Sequence, residues 1–356
     1  MNISAYLSKQ FTPARYARKQ ATKKSVSDWM AAHSMNGEAP KVKESLTCLF
    51  TGIQIGSGKR FKKTVKTLGK IEMTKEQAHL SLLLAESLYL AGLYYPPKKG
   101  DGDAGKGSKP QKPHYFDKAI SVCEGIISPG TDEASVKTAK TIIGRIMLHG
   151  GKVKDAKKLL EAAGTPVAFV TLAENARKYN DHLEAIQFYE KIPMGSLPEK
   201  LRVAILNNMA VSQLLYCYAE IKKAAAYKTE CPPEAINNTE TKKDAPSYKT
   251  EYLLEAINNM KEALKISNSD RSRTNLGSVC NSIVCILNMK KTLAPEERAA
   301  AMTAEIELAG VEGHFQKIRN DSKPHYTTTL KASWPAPIFM SVPESAIVDS
   351  IPAKAN

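Results

Sequence analysis

The sequence has no long hydrophobic run and none of the common catalytic or metal-binding motifs. Its 356 residues include no uninterrupted apolar stretch of about 18 residues, so we expect no membrane span. The patterns HExxH, CxxC and GxSxG are all absent. These absences predict a protein that is not an enzyme and has no cofactor, no metal site and no small-molecule substrate.

Two glycine-rich segments come close to ligand-binding loops but lack the residues that bind the ligand. Gly100-xxxx-Gly105-Lys106 has the spacing of a phosphate-binding loop, yet Gly107 stands where Ser or Thr would hold magnesium. Asp101-x-Asp103 lacks the third ligand, the central glycine and the closing glutamate of a calcium loop. We therefore predict neither site.

The cysteines are few and scattered, which argues against a disulfide framework. They occur at positions 48, 123, 217, 231, 280 and 285, with no histidine near the last two. In a chain of this length such spacing favours buried free thiols in a reducing compartment.

Acidic residues are in the minority, and the imbalance bears on the choice of partner. The chain has 51 Lys and Arg against 36 Asp and Glu, a formal net charge of +15. Such an excess favours polyanions, first nucleic acid and then an anionic membrane surface. A soluble basic protein whose lysines are merely solvated is the alternative.

Residues 1–27 contain no acidic residue at all. This basic, Ser/Thr-rich composition is typical of a mitochondrial transit peptide, and equally of a basic arm that orders on nucleic acid. For the second case the predicted phosphate contacts are Arg15, Arg18, Lys19, Lys23 and Lys24.

A second basic feature is a predicted helix over Lys59–Ile71. Its lysines recur at helical spacing on one face, with Phe61, Val65 and Leu68 on the opposite side. A face of like charges repels itself unless a polyanion neutralises it, so we predict phosphate contacts here and keep a solvated face as the alternative. The lysines are Lys59, Lys62, Lys63, Lys66 and Lys70.

Most of the remaining chain reads as paired short helices with apolar residues at helical spacing. Small residues recur at one place in the second helix of several pairs, as Ala119, Ala156, Ala185 and Ala256. The stretch AENARKYNDHLEAIQFYEKIP resembles one unit of the tetratricopeptide or pentatricopeptide repeat class, and the preceding IGRIMLHGGKVKDAKKLLEAAG resembles another. The resemblance covers about two units and implies an all-α solenoid of antiparallel helix pairs.

We expect this helical-repeat domain to occupy residues 28–320, as one elongated array or two small domains, with insertions at 96–113 and 229–249. The segment 198–227 is expected to form either two helices or one long helix that interrupts the repeat. From about residue 321 the sequence turns Thr- and Pro-rich, which predicts an extended tail. Its anchors, on the solenoid or on a neighbouring protein, are predicted to be Trp334, Ile338 and Phe339.

Two functions follow from these patterns. The first is a structural scaffold in a ribonucleoprotein assembly, specifically a mitochondrial ribosome component in the matrix that contacts rRNA and neighbouring protein subunits. The second is a cytosolic tetratricopeptide-like adaptor that joins proteins in a targeting or trafficking complex. A pentatricopeptide-type reader of RNA sequence is weaker, since only Thr171 lies where that class places a base-reading residue.

Overall fold

The computed structural model describes residues 24, 26–31, 40–55, 57–71, 77–95, 114–230, 249–288 and 293–321. Within these ranges the chain is all-α, and the described residues include no β-strand. This confirms the predicted fold class at the level of secondary structure.

The helices follow the order of the hydrophobic segments in the sequence. Residues 26–31 are helical and precede the first long helix. A 3-10 turn at Met194–Ser196 lies between the helix that ends at Glu190 and the helix that begins at Glu199. The α-helices are α1 (Pro40–Ile55), α2 (Gly58–Leu68), α3 (Ala78–Tyr94), α4 (Tyr115–Ile126), α5 (Glu133–His149), α6 (Val153–Ala163), α7 (Pro166–Lys178), α8 (His182–Glu190), α9 (Glu199–Glu230), α10 (Glu251–Ile266), α11 (Asp270–Asn288) and α12 (Pro295–Asp321).

The described chain divides into two compact units near residue 169, within α7. In the first unit α1 packs on α2, α3 on α4 and α5 on α6, and α3 also packs on α5. In the second unit α9 packs on α8, α10 and α11, while α12 packs on α11 and α10. Contacts between successive helices, and between helices two apart, are what stacked helix pairs produce.

Helix α3 is the centre of the first unit. Its apolar residues cover most of its circumference, and 12 of its 17 residues are buried. A helix that is apolar all round has to be covered on several sides, and α2, α4 and α5 cover this one.

The recurring alanines are all fully buried. Ala119, Ala156, Ala185 and Ala256 each have 0% exposure. A glycine serves the same purpose on α5, where a Cβ on Gly144 would lie 2.5 Å from Leu160 Cγ on α6. Small side chains let the paired helices approach closely. Because the interior is close-packed, a larger side chain at any of these positions would collide with the neighbouring helix.

Several helix ends follow from local chemistry. Asp132 caps α5 and Asp181 caps α8, each accepting a hydrogen bond from a backbone N–H three residues on. Gly164 ends α6 in the left-handed conformation, with φ 62°. These polar and glycine signals are visible in the sequence.

Two long segments form uninterrupted helices. The segment after Pro198, for which one or two helices were expected, is one 32-residue helix, α9, and α12 runs from Pro295 to Asp321. Neither segment contains an internal proline, and isolated glycines such as Gly310 weaken a helix without ending it.

A polar seam inside the second unit has no counterpart in the sequence-based prediction. Asn207, Asn208 and Gln213 on α9 are buried, as is Asn275 on α11. The amide of Asn275 donates to the side-chain oxygen of Asn207, and the Gln213 amide donates to a carboxylate oxygen of Glu255 at 2.7 Å. These hydrogen bonds compensate the burial of polar groups between α9, α10 and α11.

The first unit contains a buried ion pair between α3 and α5. Arg145 Nη1 donates to both carboxylate oxygens of Glu86, at 3.1 and 3.0 Å. The Glu86 side chain is 0% exposed and that of Arg145 is 11% exposed. The guanidinium also lies 4.0 Å from the centre of the Tyr89 ring, a cation–π contact.

We expect Glu86→Ala to lower the free energy of unfolding by about 3 kcal/mol, because it leaves the Arg145 charge largely buried without its carboxylate. Urea denaturation measures the change. Glu133→Ala is the matched control, since it breaks an exposed pair with Lys137, and we expect a change within about 0.5 kcal/mol. Equal small effects of the two substitutions would contradict the structural role of the pair.

Candidate nucleic-acid interface

Helix α2 separates its charged and apolar residues onto opposite faces. Phe61, Thr64 and Leu68 are fully buried against the first unit. The four lysines of the helix are exposed on the other side, at positions 59, 62, 63 and 66. Lys70 is exposed as well, but it lies in the turn after Gly69 and not in the helix. The predicted helix over Lys59–Ile71 was therefore three residues too long, while its two faces are confirmed.

Lys63 is engaged by an acidic residue that the local sequence does not reveal. Its ammonium lies 2.8 Å from a carboxylate oxygen of Glu44 on α1, with both side chains about half exposed. The hydrogen bond to Glu44 raises the pKa of Lys63, and the same contact lowers the pKa of Glu44. One of the five predicted lysines thus already has an internal counter-ion.

Lys62 lies over an aromatic ring. Its ammonium is 3.5 Å from the centre of the Tyr95 ring. Tyr95 lies 6.5 Å from Tyr115, centre to centre, and Tyr94 packs on Phe61 at 5.3 Å. We call Tyr94, Tyr95 and Tyr115 the tyrosine shelf. Tyr94 is 39% exposed, so aromatic surface is accessible beside the lysine face.

His114 joins the two segments that carry the tyrosine shelf. Its Nδ1 accepts a hydrogen bond from the backbone N–H of Phe116 at 3.3 Å, which places the ring proton on Nε2. Nε2 then donates to the carbonyl oxygen of Tyr95 at 2.7 Å. The end of α3 and the start of α4 are held together in this way, on either side of residues 96–113, which lie outside the described residues.

A glycine permits the contact between α2 and the tyrosine shelf. A Cβ on Gly58 would lie 2.8 Å from Tyr94 Cβ and 2.8 Å from Tyr95 Cε2, closer than packed atoms come. Gly58 is therefore required for the start of α2 to lie against the two tyrosines. The Tyr94-Tyr95 pair was the available sequence signal for the shelf, but its proximity to α2 depends on the fold.

Lys59, Lys66 and Lys70 remain available for an external anion. Among the described residues no ion pair involves any of the three. The wider charge distribution points the same way, since residues 1–71 contain 14 Lys and Arg and three Asp and Glu. Positions 72–356 contain the remaining 37 basic and 33 acidic residues. Most of the net charge of +15 therefore belongs to the first fifth of the chain.

The other predicted contact residues are mostly outside the described ranges. Lys24 is described and exposed. The rest of the basic arm, Arg15, Arg18, Lys19 and Lys23, is outside the description, as are the tail residues Trp334, Ile338 and Phe339. The predictions for these residues stay predictions.

The cysteines described by the structure are free thiols. Cys48, Cys123, Cys217 and Cys280 are buried, and Cys285 is partly buried. Burial raises the pKa of Cys217 and of Cys280 to about 12, so the thiolate population is small at neutral pH. Within the described part of the chain no group of three or more His, Cys, Asp or Glu side chains is arranged to hold a metal ion.

Comparison with known proteins returned no match to any family model, curated protein or solved structure. The resemblance to tetratricopeptide and pentatricopeptide repeats therefore stays a prediction. None of the described helices combines the length and apolar content needed to cross a bilayer.

We expect Gly58→Ala to destabilise the chain by about 1–3 kcal/mol, because the added methyl group overpacks the contact with Tyr94 and Tyr95. Gly125→Ala is the matched control. It lies in the last turn of α4 with nothing within 4 Å of an added Cβ, so alanine should leave the stability unchanged or raise it by up to about 0.5 kcal/mol. Equilibrium denaturation gives both values, and a neutral Gly58→Ala would contradict the described packing.

Proposed function

We propose that this protein is a non-catalytic scaffold in a ribonucleoprotein assembly and that α2 contacts the phosphates of an RNA. The observation that carries the proposal is the exposed lysine face of α2, in a segment where basic residues greatly outnumber acidic ones. Lysines that neutralise phosphates release condensed counterions, which favours binding to any RNA strand. Phosphate contacts position a protein without reading bases, as a structural subunit requires.

The tyrosine shelf supports RNA over other polyanions. Aromatic side chains beside a basic groove provide surfaces on which unpaired bases stack, and such stacking tolerates every base. Tyr94 is the shelf residue with the most accessible surface. Lys62, which lies over Tyr95, would hold a phosphate close to a base stacked nearby.

The repeat class and the compartment belong to the same proposal. Four fully buried alanines at equivalent places in successive helix pairs support a tetratricopeptide- or pentatricopeptide-like array. The acid-free composition of residues 1–27 supports the mitochondrial matrix, where the large complex would be the ribosome, with rRNA and neighbouring subunits as partners.

Neutralising the three available lysines tests the proposal directly. We expect Lys59→Gln, Lys66→Gln and Lys70→Gln together to weaken binding to a single-stranded RNA on the order of tenfold at moderate salt. The slope of log affinity against log salt concentration is negative, and its magnitude should decrease by about 2, since three phosphate contacts are lost. Fluorescence anisotropy with a labelled RNA, repeated over several salt concentrations, measures both quantities.

The matched control removes the same charge from another surface of the first unit. Lys152→Gln, Lys154→Gln and Lys158→Gln lower the net charge equally at exposed positions at the start of α6 and within it. We expect the control triple to change affinity far less than the α2 triple. Equal losses would mean that only bulk charge matters, and undiminished binding by the α2 triple would remove α2 from the interface.

A substitution that is expected to strengthen RNA binding gives an independent test. Glu44→Gln frees Lys63 from its counter-ion and removes a negative charge beside the lysine face. We therefore expect RNA affinity to rise about two- to fivefold. Glu133→Gln is the control, because it releases Lys137 from a comparable exposed pair on α5 and should leave affinity unchanged. Unaltered binding by Glu44→Gln would count against contact at α2.

Fractionation of cells that express a tagged chain tests the compartment and the assembly. Co-sedimentation with mitochondrial ribosomes, lost after RNase treatment, is the expected result. A free cytosolic pool bound to other proteins would instead favour the adaptor function.

A further inference from the structure

Helix α12 has apolar residues on two opposite faces. Ala300 and Ala304 are fully buried on the side that packs on α11 and α10. At 100° per residue, Met302 and Ile306 point in the opposite direction, and they are 64% and 69% exposed. Two exposed alanines extend the same face. We call Ala299, Met302, Ile306 and Ala309 the outer stripe.

The outer stripe is unusual within the described residues. Only four large hydrophobic side chains there are classed as exposed, and two of them lie one turn apart on this stripe. The last helix of a helical stack is ordinarily polar on its outer side. A helix that is apolar on two opposite faces is ordinarily covered on both.

We propose that the chain's own C-terminal segment, residues 330–340, packs across the outer stripe. The described chain ends at Asp321, which is about 29 Å along α12 from Met302. The 13 residues from 322 to Trp334 span up to about 43 Å when extended, so the segment reaches back to the stripe without strain.

The chemistry of the segment matches that of the stripe. Leu330, Trp334, Ile338 and Phe339 supply apolar side chains within eleven residues. Exposed Arg298 and Glu305 both flank the stripe, so charge favours no particular partner there. Apolar contact and the reach of the segment favour this pairing.

The size of the stripe argues against a second copy of the chain as the occupant. From Ala299 to Ala309 the helix is about 15 Å long and about 10 Å wide, so its outer face is about 150 Å². A stable protein dimer buries about 800 Å² on each partner. A surface of this size suits a single short segment, whose attachment to α12 gives it a high effective concentration.

Tryptophan fluorescence of the full-length chain tests the proposal. The chain has two tryptophans, and Trp29 is buried in the first unit. Subtracting the spectrum of a Trp334→Phe variant isolates the emission of Trp334. We expect this emission to shift to longer wavelength, and its quenching by acrylamide to rise, when Met302→Gln and Ile306→Gln are introduced together.

The control is Tyr179→Gln, which removes another exposed large side chain from the second unit and should change neither quantity. Helicity by circular dichroism confirms that the outward-facing substitutions leave the fold intact. An unchanged Trp334 signal in the Met302→Gln/Ile306→Gln variant would overturn the proposal. Sedimentation velocity provides the other decisive outcome, because self-association that these two substitutions abolish would make a second copy the occupant.

Discussion

The burial of the Glu86 carboxylate is the constraint on which the first unit depends. A charge with 0% exposure is tolerated only beside an opposite charge with well-formed hydrogen bonds, and Arg145 on α5 provides both. Since α3 and α5 belong to successive helix pairs, this single requirement sets the position of one pair against the next. Apolar packing specifies the register of α5 against α3 less sharply than this pair does, because Arg145 Nη1 must reach both carboxylate oxygens of Glu86.

Aromatic contacts connect this ion pair to the lysine face. Arg145 lies over Tyr89, whose ring is 6.0 Å from that of Phe116 on α4. Phe116 lies 5.0 Å from His114, centre to centre, and His114 donates to the carbonyl of Tyr95 beneath Lys62. The surface that we assign to RNA thus rests on side chains whose positions are set by the core.

The sequence predicted the parts of this arrangement that depend on local chemistry. Helical periodicity predicted paired helices, and the charge pattern of α2 located its exposed face. Local residues such as the cap Asp181 and the left-handed Gly164 set where individual helices begin and end. The Glu44–Lys63 pair and the Lys62–Tyr95 contact were missed, because each joins residues about 20 or more positions apart on different helices. The amide seam around Asn207 was missed for the same reason, since an asparagine in a helix reads as exposed until its partners are known.

The uneven distribution of charge gives the two ends of the chain different physical tasks. Residues 1–71 carry 14 basic and three acidic residues, so their contribution to binding a polyanion is long-ranged and weakens with salt. The second unit instead presents the exposed side chains of Met302 and Ile306. Contacts between these side chains and an apolar partner would be short-ranged and little affected by salt. Contacts made by the two kinds of surface would therefore respond oppositely to rising ionic strength, since salt screens charges while it leaves or strengthens apolar contacts. If α2 contacts RNA and the C-terminal segment covers α12 as proposed, rising salt would weaken the RNA contact and leave the covered face of α12 intact.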